Sequence, residues 1–121
     1  MKKKPHKKLE AWKQAIELTV ETYRLTEKLP KSEQFGLSSQ MRRAAVSIAS
    51  NVAEGAARNT KKEFIRFLHT AQASLAELDT QAFICIRLGF LSDTDLVLFN
   101  EEIERESKLI TGLIKFLKKP S

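Results

Sequence analysis

Between Gln34 and Arg58 the chain reads QFGLSSQMRRAAVSIASNVAEGAAR, a run of small apolar residues in which polar side chains recur at helical spacing. On a helix that advances about 100° per residue, Gln40, Arg43, Ser47, Asn51 and Glu54 fall on one narrow stripe, while Leu37, Met41, Ile48 and Val52 gather on another side. Much of the remaining circumference is alanine. A helix this apolar is normally surrounded by protein, and charged groups in such surroundings need partners or carry a desolvation penalty. The pattern therefore predicts an enclosed helix whose polar stripe lies at an interface, with neighbours from its own chain or from sister copies.

Nothing in the sequence alternates with the period of two that strands require, so the expected class is all-α. Punctuation marks four helices, at about 8–28, 33–57, 60–88 and 93–118, preceded by a basic tail over 1–8. The first turns Leu9, Trp12, Ile16, Tyr23 and Val20 inward and stops before Pro30, whose ring disfavours helix at the preceding residue. Thr60 and Glu63 have capping-box spacing ahead of the third. Phe64, Phe67, Leu68, Ala71, Leu75, Leu78, Ala82, Cys85 and Ile86 give that helix a continuous apolar face. Gly89 can take the left-handed conformation that ends it, with Phe90 folding back onto its last turn. Ser92, followed by Asp93 and Asp95, caps the fourth, which keeps Leu96, Phe99, Ile103, Ile110, Leu113 and Leu117 on one side. Loops this short join antiparallel neighbours, and one domain of 121 residues in an antiparallel up-down-up-down four-helix bundle is the simplest closed solution.

The net charge of +6 sits at the ends. Lys2, Lys3, Lys4, Lys7 and Lys8 begin the chain and Lys115, Lys118 and Lys119 end it, so removing these eight of 21 basic residues leaves 13 against 15 acidic ones in the body. Lysine tails give salt-sensitive attraction to phosphate, or serve only as solubilising ends. The lysines have no apolar run behind them, and no window is long enough to cross a bilayer, so the expectation is a cytoplasmic protein without a secretory signal. Cys85, the one cysteine, lies in the apolar run AFICIRLGF and reads as an inert core thiol. His6 and His69 have no second ligand at metal spacing. Glu54, Glu63, Glu77 and Asp79 are too scattered for a di-iron bundle, and there is no phosphate loop or nucleophile elbow. No catalytic residue, metal or cofactor is expected.

Pairing the second and third helices as a hairpin about Thr60 places residues whose numbers sum to about 120 at similar heights. Arg43 then comes opposite Glu77 and Glu54 opposite Arg66, predicting two ion pairs with Ser47 and Asn51 between them, against the alternative of solvated surface charges worth little. Around the turn, Arg58, Lys61, Lys62 and Arg66 form the one basic cluster of the body, relieved only by Glu63. A helix N-terminus beside them favours phosphate, against the alternative that the run is a solvated cap. Phe64 and Phe67 belong to the core face, which leaves few aromatics free to stack on bases.

The stretches FGLSSQMRRAAVSIASNVAEG, EFIRFL, ASLAELDTQ and RLGFL resemble the small four-helix-bundle proteins encoded within intervening sequences of bacterial 23S ribosomal RNA genes. The resemblance spans nearly the whole chain and is most specific from Gly36 to Gly55, through Gln40, Arg42, Arg43, Ser47, Asn51 and Glu54, with Glu77 and Leu88-Gly89 as later anchors. It departs at Ala49, where that family often has proline, and at Ala73, where it often has glycine; both changes favour regular helix. The resemblance implies a homopentameric bundle without enzymatic activity. A more distant similarity is to the accessory proteins of diversity-generating retroelements, basic pentamers that bind nucleic acid with a reverse transcriptase. Two functions follow as expectations. One is a non-enzymatic, self-assembling bundle that contacts RNA or DNA through Arg58, Lys61, Lys62 and Arg66. The other is a scaffold that binds a protein such as a reverse transcriptase without touching nucleic acid.

Overall fold

The computed structural model describes His6 and residues 9–120, and the regular structure among them is entirely helical. The helices are α1 (Glu10–Thr26), α2 (Leu37–Ala56), α3 (Lys61–Arg87) and α4 (Val97–Lys118). A short 3-10 turn, Lys31–Glu33, follows Pro30, so α2 begins later than its spacing suggests.

Helix α3 has the predicted ends. Thr60 Oγ1 accepts from the Glu63 N–H at 3.1 Å, although the Glu63 carboxylate turns to Arg66 and leaves the capping box half made. At the other end Gly89 adopts φ 79°, the Phe90 N–H donates to the Cys85 carbonyl at 2.9 Å and the Gly89 N–H to Ile86 at 3.0 Å. These are the two bonds of a Schellman cap. Helix α4 starts at Val97 rather than 93 because Ser92 and Asp95 close a turn of their own. The Ser92 N–H donates to the Asp95 carboxylate at 2.9 Å, and the Asp95 N–H donates to Ser92 Oγ at 3.2 Å. That backbone N–H, joined by Lys28 at 3.0 Å, lowers the Asp95 carboxyl to about 2.

Each helix touches its two neighbours and none reaches its diagonal, as in the four-cornered bundle that the short connections predict. Leu18 and Leu25 of α1, Met41, Ile48 and Val52 of α2, Leu68 and Leu78 of α3, and Phe99 and Ile110 of α4 are fully enclosed. Each such side chain contributes about 1.5–3 kcal/mol by leaving water. Hydrogen bonds between helices fix their heights. The hydroxyls of Ser47 and Ser74 lie 2.9 Å apart, Cys85 Sγ is 3.8 Å from Met41 Sδ, and Thr19 Oγ1 donates to the Ala45 carbonyl at 3.2 Å.

The inward face of α1 differs from the expected one. Ala11, Ala15, Leu18, Thr22 and Leu25 point to the core. Leu9, Trp12 and Ile16 are only partly covered, while Tyr23 and Val20 are exposed, Val20 at 62%. Two apolar stripes run along this helix, and the one with larger side chains faces outward beside α2.

Charge is also buried where an apolar count is blind to it. Gln14 Nε2 donates to the Glu102 carboxylate at 3.1 Å, and Arg105 donates to Gln14 Oε1 at 3.2 Å. Four residues on, Glu106 has no exposed surface, and neither of its carboxylate oxygens accepts a hydrogen bond from the protein. Burial raises its carboxyl from an ordinary 4.5 to about 8, so it is mostly neutral at pH 7. A folded-state value above the unfolded one means that folding binds a proton between the two. The stabilisation is complete below about pH 4.5, falls by about 1.4 kcal/mol per pH unit, and is lost above about pH 8. Burial pushes Glu102 in the same direction. Urea unfolding between pH 5.5 and 8.5 should therefore show the midpoint dropping with pH, and Glu106→Gln should remove most of that slope; a variant as pH-dependent as the parent would contradict this account.

Candidate interaction sites

The polar stripe of α2 lies beside α3, but not as two ion pairs. Gln40, Arg43, Ala44, Ser47, Ser74 and Glu77 line one groove of about 330 Å³ between the helices, so the predicted register is right. Arg43 and Glu77 nevertheless remain exposed and form no ion pair among the described residues. Glu54 is exposed as well, and Arg66 is bound at 2.7 Å by Glu63, three residues earlier on its own helix. A neighbour one turn away holds a guanidinium with less ordering of long side chains than a carboxylate across the hairpin. The two expected cross-hairpin ion pairs are therefore corrected, and Arg43 and Glu54 are exposed in the single copy. Asn51 is half-buried, donating to the Ser47 carbonyl at 2.8 Å and to Ser47 Oγ at 3.0 Å, and Ser47 in turn meets Ser74. The middle of the stripe is a structural network and its two ends are open charges.

The basic turn is held by aromatic packing. Gly55 lets the backbone of α2 approach the first turn of α3: a Cβ there would sit 2.8 Å from a Phe64 ring carbon, 2.9 Å from Phe67 Cβ and 3.2 Å from the Phe64 carbonyl oxygen. Phe67, pinned by this approach, carries a guanidinium on its ring from each side of the turn, Arg58 at 4.7 Å and Arg66 at 5.2 Å from the centroid. Stacking leaves an arginine's N–H edge for other acceptors, as at Arg58, whereas Arg66 already gives Nε and one terminal nitrogen to Glu63. Lys61 and Lys62 are exposed on the same turn. The Glu63 carboxyl is lowered, chiefly by its hydrogen bond from Arg66, and it neutralises part of the cluster. The N-terminal lysines Lys2, Lys3, Lys4, Lys7 and Lys8 lie outside the described residues.

A third surface has no counterpart in the sequence reading. Tyr23, Gln34, Phe35, Ser39, Arg42 and Arg43 surround an open cleft of about 620 Å³ where α1 meets α2. A smaller apolar groove of about 260 Å³ continues it along Trp12, Ile16, Val46 and Ala49. Arg42 is stacked on Tyr23 at 4.5 Å and donates to Thr26 Oγ1 at 2.8 Å, which fixes it as part of the wall. Phe35 stands 90% exposed at one end. It corrects the expectation that few aromatics are free, as do the exposed Phe83 and Phe116. The spacing of Trp12, Ile16, Val20 and Tyr23 was the available signal, assigned to the wrong side of the helix. Among the described residues no three ligating side chains gather to hold a metal, and no helix is long and apolar enough to cross a membrane.

The sequence pattern of the 23S rRNA-intervening sequence proteins matches residues 7–112. The chain belongs to that family. A protein of unknown function from the S23 ribosomal protein family of Bacteroides thetaiotaomicron has a similar crystal structure, with a TM-score of 0.73, 20% identity, and coverage of 90% of this chain and 99% of that one. At that identity the likeness speaks for the fold. No curated protein matches the chain. For this member of the 23S rRNA-intervening sequence family, the Gly55 contact predicts a test of how the basic turn is built. Gly55→Ala gains about 1 kcal/mol of helix propensity but must displace Phe64 and its carbonyl. The expected net outcome in urea unfolding is a destabilisation of about 1–3 kcal/mol; a stabilised variant would show that the turn is loosely packed.

Proposed function

We propose that this protein is a non-enzymatic, self-associating bundle that works in the cytoplasm by contact, with RNA as the partner of its basic turn. The observation that carries the reading is the outward apolar surface of α1 and α2, on which Val20, Tyr23, Phe35 and Val46 all face water in the single copy. Contiguous apolar exposure of this kind marks a surface that is covered in use. Resemblance to the pentameric bundles of the same family supports a covering by further copies, with five as the implied number. Ser47 and Asn51 of α2 hydrogen-bond each other, and Ser47 meets Ser74 of α3, which favours structure over catalysis as their role.

For RNA, the support is the pair of guanidinium groups fixed on Phe67 with Lys62 beside them. Phosphate contacts of this type position a nucleic acid without reading its sequence. Light scattering at micromolar concentration should return a multiple of 13.8 kDa; a lone 13.8 kDa species would overturn self-association. Filter binding to structured RNA should weaken with salt. Alanine at Arg58, Lys62 and Arg66 should lower affinity at least about tenfold and flatten the salt slope. Binding that ignores these changes would remove RNA from the reading, and a partner retained after nuclease treatment would point to a protein scaffold.

A further inference from the structure

The α1/α2 groove is a trough whose floor is apolar along Trp12, Ile16 and Val46 and whose upper end mixes Tyr23 and Phe35 with two arginines and no acidic residue: Arg43 is exposed and makes no ion pair among the described residues, and Arg42 is spent on Tyr23 and Thr26. On the shoulder of α3 that faces the neighbouring groove, the complementary pattern occurs. Glu77 lines that groove, accepting only a long hydrogen bond from Gln81 at 3.4 Å and making no ion pair among the described residues. Residues at helical spacing from it, Ala73, Thr80, Ile84 and Leu88, share its side of α3 and are exposed. The shoulder is thus a narrow ridge of small and apolar side chains with one carboxylate, and the trough joins an apolar floor to one guanidinium without a carboxylate partner in its lining.

Height decides whether the two can meet. The Ser47–Ser74 and Met41–Cys85 contacts put Glu77 level with Arg43, and Ile84 and Leu88 level with the start of α2, where Phe35 projects. The stacking of Arg42 on Tyr23 brings the outward stripe of α1 to the same level. Rotating a copy about an axis parallel to the helices leaves every height unchanged. Such a rotation therefore delivers the ridge to the trough with charge opposite charge and apolar opposite apolar. The trough and the ridge flank α2 on adjacent sides of the bundle, not on opposite ones. Repetition of a contact between adjacent sides turns sharply at each step and closes a small ring, whereas opposite sides would run on as a filament.

Resting on the self-association proposed above, we infer that the α3 ridge of one copy seats in the α1/α2 trough of the next, with Glu77 against Arg43 of its neighbour and Ile84 and Leu88 against Phe35. Helix α2 then occupies the narrow edge of each wedge, covered on both flanks, which gives its alanine-rich surface a reason.

Charge reversal tests this, because all three exposed positions leave the core untouched. Arg43→Glu and Glu77→Arg, each made alone, should keep the parent's circular dichroism while weakening assembly at least tenfold in sedimentation or light scattering. Phe35→Ser should weaken assembly without altering charge. Mixing the Arg43→Glu protein with the Glu77→Arg protein should restore association between unlike chains, since in alternating order a trough finds an oppositely charged ridge; a ring of five keeps one like-charged joint, so recovery there is partial but above that of either variant alone. Single variants that assemble like the parent would place the interface elsewhere. Recovery only when both reversals are on one chain, with none on mixing, would make the pair intramolecular and overturn the inference. An Arg43-dependent complex of monomer with RNA, in place of assembly, would also overturn it. A parent that is itself monomeric sinks the self-association reading, which is a different result from an assembled parent indifferent to these substitutions.

Discussion

Where α2 ends, Gly55 presents no Cβ to Phe64 and Phe67, and the backbones of α2 and α3 close to a distance that any side chain would forbid. The hairpin inherits its register from that contact. Ser47 reaches Ser74 and Met41 reaches Cys85 only because the seam is narrow along its length, and the small residues of α2 keep it so. The same narrowness fixes Phe67 of α3 where Arg58 and Arg66 both lie over its ring. Packing thus comes first and electrostatic character is arranged upon it.

Much of this was legible in the residues. Both ends of α3 are local chemistry, a threonine oxygen on one side and a left-handed glycine on the other, and local chemistry survives folding unchanged. The class, the hairpin and its sum-of-120 register follow from spacing. The inner face of α1 did not, because an apolar residue carries no mark of which neighbour it prefers: Ala11 and Ala15 fill the tight core, while the bulkier Trp12, Ile16 and Val20 lie where there is room outside. The cross-hairpin ion pairs failed for a related reason. Height alone does not make a pair when a carboxylate on the same helix reaches the guanidinium first.

Within the site, the basic turn was visible as composition, but its organisation by Phe67 was not. Phe35 gave no signal at all, since a single aromatic in a connection has no period. Glu102 and Glu106 were equally hidden, their polarity marking them as surface residues. Their burial places ionisable groups against an otherwise apolar interior, where neighbouring hydrogen bonds satisfy one of Glu102's oxygens and none of Glu106's.

The thiol of Cys85 touches the sulfur of Met41 across the seam, is shut off from water, and is raised by that burial above its ordinary value. It is the chain's only cysteine, so thiol-alkylating reagents find their target only in molecules whose second and third helices have parted. The rate of its modification is a clock for breathing of that seam, written into the natural sequence and readable without any added probe.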